Sequence, residues 1–75
     1  MADKKEVKHE IIESIAILST SPAGWTKELN LIRWNDKPAK LDVRDWGPNH
    51  EKIGKGITLT QEEAKLLVAA LETEI

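Results

Sequence analysis

The sequence predicts an α+β fold: a curved, four-stranded antiparallel sheet followed by one C-terminal helix, in the order ββββα, assembled as a homodimer. Three observations carry this. Between Val7 and Leu59 the apolar residues fall in four short runs, separated by breaks rich in proline, glycine and asparagine. From Thr60 onward they recur instead at three- and four-residue spacing. A chain of 75 residues without a cysteine builds so small a core that a second subunit is a common remedy.

Residues 1–6 read as a solvated tail and residues 7–75 as one domain. The first strand runs from about Val7 to Ser19, its three isoleucines favouring a pleated surface; Ile11, Ile15 and Ile17 are expected to share a face. Thr20 to Gly24 is a turn, set by Pro22 and Gly24. The second strand, residues 25–34, puts Leu29 and Leu31 on one side and Asn30, Ile32 and Trp34 on the other, with Arg33 at the edge of the Leu29/Leu31 core. After the polar turn Asn35–Pro38, the third strand alternates most regularly. Ala39, Leu41 and Val43 point one way; Lys40, Asp42, Arg44 and Trp46 point the other. Gly47–His50 breaks it, and the fourth strand covers about Lys52 to Leu59, with a bulge or close backbone approach at Gly54-Lys55-Gly56.

Thr60 and Glu63 form a capping box that opens the helix. Ala64, Leu67, Val68, Leu71 and Ile75 make a stripe for the sheet, while Leu66 and Ala70 widen it beyond what one sheet face needs. That surplus nominates Leu66, Leu67, Ala70 and Leu71 for a dimer interface.

Composition excludes several function classes. No apolar run approaches the roughly 18 residues of a membrane span, and the N-terminus lacks the apolar stretch of a secretory signal. The expected location is therefore the cytoplasm, in association with the nucleoid. His9 and His50 stand in no metal-ligand spacing, no serine sits in a nucleophile elbow, and Gly54-Lys55-Gly56 is not a phosphate-binding loop. No enzymatic activity, metal or other cofactor is expected, and both histidines read as surface residues.

The charge pattern is more informative than its total of −2. Residues 25–59 carry 7 basic and 5 acidic side chains and all three tryptophans, between two acidic ends. On the polar side of the sheet, Lys40, Arg44, Trp46 and Trp34 combine cations with flat rings, the mixture that tracks phosphates and stacks unpaired bases. Lys27, Asn30, Lys52, Lys55 and Gly56 complete the candidate nucleic-acid set. In the bland alternative that face is solvated, Asp42 pairs with Arg44 or Lys40, and the rings tuck under loops.

The blocks LDVRDWGP and GKGITLTQEEAKLL resemble the C-terminal domain of the general transcriptional coactivator positive cofactor four. In that family a DIRE-type strand, a tryptophan, a lysine-glycine step, an I-[ST]-L strand and a closing helix follow in this order. The resemblance covers residues 10–72 and is strongest to the small bacterial YdbC-like members. It implies homodimers whose curved sheets bind single-stranded DNA with little sequence preference; whether RNA is a partner as well is left open by the sequence. Residue by residue it points to Arg44, Trp46, Lys55, Gly56 and Trp34. The expected function is sequence-independent single-strand binding in replication, recombination, repair or transcription, with no small-molecule substrate. The competing expectation is a protein-interaction module that uses the tryptophan-bearing face.

Overall fold

The computed structural model describes residues 8–75; the expected tail and Val7 lie outside the described residues. Four strands, β1 (His9–Thr20), β2 (Thr26–Trp34), β3 (Lys40–Trp46) and β4 (Ile53–Leu59), precede one helix, α1 (Gln61–Glu74). They form a single antiparallel sheet in chain order, β1-β2-β3-β4. The expected ββββα order is the observed one.

Each turn follows from its residues. Gly24 holds φ at 92° and donates to the Ser21 carbonyl, a left-handed position suited to glycine. Asn35 and Asp36 also sit at positive φ, and Lys37 N–H closes their turn on the Trp34 carbonyl at 2.9 Å. Asparagine and aspartate tolerate that backbone, and the turn opens the longer connection that leads to β3 at Lys40. Between β3 and β4, Pro48–His50 forms a short 3-10 turn in which Asn49 and His50 are left-handed, φ 57° and 59°.

The strands β1 and β2 do not pair evenly. Three register shifts leave Ile12, Ile15 and Leu18 as extra residues on β1. The expected alternation therefore fails: Ile11 and Ile17 stand opposite Ile32 and Glu28, but Ile15 falls in a bulge. Bulges bend a strand and increase its twist, so β1 curls around its neighbours. A fourth bulge places both Gly54 and Lys55 against Asp45, as the glycine-rich sequence predicts. At Gly56, opposite Arg44, an added Cβ would collide with the Arg44 backbone and Cβ and with the Val43 carbonyl. Glycine is what lets β3 and β4 approach there.

Burial reverses the expected faces. The buried residues of the sheet are Glu28, Asn30, Ile32, Asp42 and Trp46, all on the side expected to be open. Leu29, Leu31, Leu41 and Val43, on the expected core side, are only half-buried. The helix explains the second fact. Its capping box is formed, with Thr60 N–H donating to Glu63 Oε1 at 2.8 Å and Glu63 N–H to Thr60 Oγ1 at 3.1 Å. Yet none of its residues is buried, and only Ala64 is even half-buried. Leu66 is 72% exposed, and Leu67, Val68 and Leu71 are exposed as well. The stripe expected to lie on the chain's own sheet stays uncovered. Arg33 is likewise exposed and pairs with Glu10 at 3.2 Å, outside any core.

Candidate functional site

The curled face of the sheet is built around two side-chain stacks. In the first, β3 sets Asp42 and Arg44 two residues apart on one face, so their side chains lie side by side. Arg44 grips Asp42 in a two-pronged contact along one guanidinium edge, Nε donating to Oδ1 at 2.7 Å and Nη2 to Oδ2 at 2.8 Å, and its Nη1 donates to the Gly54 carbonyl at 3.3 Å. Its guanidinium also lies 4.8 Å from the centre of the Trp34 ring, a cation–π contact. Asp42 is 0% exposed. The pairing of Asp42 with Arg44, rather than a free arginine, is the arrangement that the structure contains.

In the second stack, Trp46 is 0% exposed and has two imidazoles close to its ring. The His50 ring stacks on it at 4.5 Å and 25°, and the His9 ring sits 5.4 Å away. His9 also flanks Trp34, its register partner, at 5.6 Å. The open stacking platform expected at Trp46 is therefore corrected: the ring is fully buried, with His50 stacked on it. Both indole N–H groups, of Trp34 and Trp46, are buried without an acceptor among the described residues.

Glu28 anchors the second stack. Thr26 Oγ1 donates to it at 2.6 Å, Asn30 Nδ2 at 3.1 Å, and His50 Nε2 lies 2.9 and 3.1 Å from its two oxygens. Burial works to raise the Glu28 pKa. The hydrogen bonds from Thr26, His50 and Asn30, with the charge of His50, outweigh it and hold the carboxyl below its ordinary 4.5. Asn30, a candidate nucleic-acid contact in the sequence, is 1% exposed and committed to Glu28.

Beside the first stack opens a cleft of about 320 Å³ lined by Trp34, Lys37, Pro38, Lys40, Arg44 and Thr58. It brings together Trp34, Lys40 and Arg44 of the sequence set and adds Lys37. The other candidates are scattered. Lys27 pairs in register with Asp45, the two charges 4.0 Å apart, on the side opposite the cleft. Lys52 and Lys55 are exposed at and beside β4, and Gly56 serves strand approach. The histidines and Glu28 escaped sequence reasoning. His9 and His50 are 41 positions apart, and nothing in their spacing marks a shared tryptophan; only the strand register could have revealed it.

This geometry has relatives. The family described as Transcriptional Coactivator p15 (PC4) matches residues 21–70, which takes in β2, β3, β4 and most of α1. The chain belongs to the PC4 family. An uncharacterized protein of Treponema pallidum (strain Nichols) is 47% identical over 55 residues, covering 73% of this chain and 65% of that protein. The chain thus spans slightly under two thirds of that relative's length. The PC4 match includes Trp34, Arg44, Trp46, His50 and the cleft lysines, and leaves β1 and its His9 outside.

Proposed function

We propose that this PC4-family chain binds single-stranded DNA without sequence preference, as a homodimer, in DNA transactions such as replication, recombination, repair or transcription. The cleft at Trp34 is the observation that carries the reading. It joins a half-buried indole to two exposed lysines, Lys37 and Lys40. An unpaired base can stack on the indole while the ammonium groups meet the flanking phosphates. Arg44 takes the role of support: its charge is met by Asp42 and its plane backs Trp34. Trp46 supports the face from beneath rather than meeting a base. Lys52 and Lys55 extend the cationic path along the β4 side.

The second copy belongs on the helix. Leu66, Leu67, Ala70 and Leu71 are all exposed on a chain whose sheet already buries its other side. An exposed apolar stripe of this kind marks a protein interface, and burying it between two helices completes the missing core.

Fluorescence anisotropy with a labelled thymidine oligonucleotide and a duplex of equal length tests the reading at two salt concentrations. Single strands should bind more tightly, with affinity falling steeply as salt rises. Equal binding of duplex, or a salt-insensitive interaction, would favour the protein-interaction alternative. Sedimentation at micromolar concentration should show a dimer; a species of 8.4 kDa alone would refute the assembly.

A further inference from the structure

The surface that the curled face turns outward over Trp46 is imidazole, not indole. His50 is carried there by the left-handed Asn49–His50 backbone, and its side chain remains 39% exposed. Glu28 holds its Nε2, while Nδ1 makes no hydrogen bond among the described residues. That arrangement fixes the ring's orientation and leaves one nitrogen to meet a ligand. His9, exposed at the start of β1, touches both tryptophan rings, Trp46 and Trp34, and so links this stack to the cleft. Among the described residues, the charged groups around each ring are few. His50 faces Glu28 from β2, with Glu51 and Lys52 next in the chain. His9 shares a shallow cleft with Lys8, Glu10, Arg33 and Asp36, and Trp34, which it flanks, is also contacted by Arg44 of the Asp42–Arg44 pair.

We propose that His9 and His50 are phosphate-contacting residues of the strand site, so that this chain binds single-stranded nucleic acid more tightly when the two imidazoles are protonated. The inference rests on the single-strand reading above. The chemistry follows from the packing. A neutral imidazole offers one N–H, which in His50 is directed to Glu28. Protonation adds a second N–H on Nδ1 and a positive charge, both suited to a phosphodiester oxygen. Glu28 stays ionised as the imidazole charges, since its pKa lies below 4.5, so the histidine keeps its anchor. The tryptophan beneath holds the ring flat and, by its own burial, keeps the imidazole rather than itself at the surface. Histidine is the side chain whose ordinary pKa, about 6.5, places this change within the physiological range.

The test is binding of a labelled thymidine oligonucleotide, whose bases do not titrate here, at about pH 8 and about pH 5.5. The parent should bind roughly tenfold or more tightly at the lower pH. Its salt slope should steepen by roughly 0.7 for each phosphate newly met. His50→Asn, which keeps a residue tolerant of positive φ, and His9→Gln should each remove part of the pH effect. Equal affinity of the parent at both pH values, or an undiminished pH effect in both variants, overturns the histidine assignment and leaves the single-strand reading standing. No binding of the oligonucleotide at either pH overturns both. Should a variant fail to fold, NMR titration of the parent decides. Both imidazole pKa values must rise on adding the oligonucleotide, because a ligand that prefers the protonated form raises the pKa by linkage; unchanged values overturn the proposal.

Discussion

Replacing Arg44 by alanine should unfold much of this protein's stability margin, because the change strands Asp42. The carboxylate is 0% exposed, and two of its hydrogen bonds come from the Arg44 guanidinium at 2.7 and 2.8 Å. Removing one partner of a buried pair costs about 3–5 kcal/mol, since the remaining charge keeps its desolvation penalty and loses its compensation. Small domains hold only about 5–15 kcal/mol in total. Loss of the Gly54 carbonyl contact and of the stack on Trp34 adds to the cost. Urea unfolding at neutral pH and fixed protein concentration reads the result. With m near 1 kcal/mol/M for so short a chain, the midpoint should fall by about 3–5 M. Arg44→Lys keeps the charge but not the two-pronged grip, and should recover only part of that loss. Replacing both residues together, by Met at 44 and Leu at 42, should be nearly neutral, because no buried charge then remains. A shift for Arg44→Ala worth less than about 1 kcal/mol, the value of an exposed pair, would refute the reasoning.

Stability should also fall as pH drops below about 4.5, because Glu28 has a depressed folded-state pKa and its contribution is present above the unfolded value and lost through the folded one; Glu28→Gln should be destabilised at pH 7 by urea titration but match the parent near pH 3. Gly56→Ala should cost roughly 1–3 kcal/mol, measured by thermal unfolding, since the new Cβ collides with Arg44 across the strand pair. Thr60→Ala removes the helix cap and should cost about 0.5–2 kcal/mol in the same assay. Leu66→Glu should turn a dimer into a monomer in sedimentation, while Lys65→Glu, which changes charge but no apolar surface, should not.

Local signals carried the element order. Asn35-Asp36, Gly24 and the Thr60/Glu63 box each act over four residues or fewer, and each formed the turn or cap that its chemistry demands. The bulge at Gly54-Lys55 was legible for the same reason. What failed was long range. The alternation read into β1 assumed one residue per pleat, whereas Ile12, Ile15 and Leu18 are spaced by three because each occupies a bulge. Those same residues spread the apolar positions over both faces, which is why a helical period also fitted the segment. Trp46 read as an open ring because its strand neighbours are charged. Its burial comes from His9 and His50, which approach from β1 and from the turn after β3 and leave no trace in the local pattern.

The inversion of the two faces has a further consequence for how the site works. A conventional two-layer fold buries its apolar side under a helix and leaves its polar side wet. Here the polar side is the one already packed, through the Arg44–Asp42 grip and the Glu28–His50–Trp46 stack, while the apolar side waits for a cover. Charged groups held this way lose little freedom when a ligand arrives, because their orientations are set beforehand by partners on the same sheet. Lys37 and Lys40, which form no ion pair among the described residues, would supply attraction instead of geometry in the proposed site. Curvature from the bulges of β1 joins the two roles, since it brings His9 over Trp46 and toward Trp34 at the cleft. A variant that straightens β1, by deleting Ile15 and with it one bulge, should keep Ser14 opposite Asn30 and Ala16 opposite Leu29 while reducing the curl that carries His9 toward Trp46. It should weaken strand binding even though no cleft residue has changed.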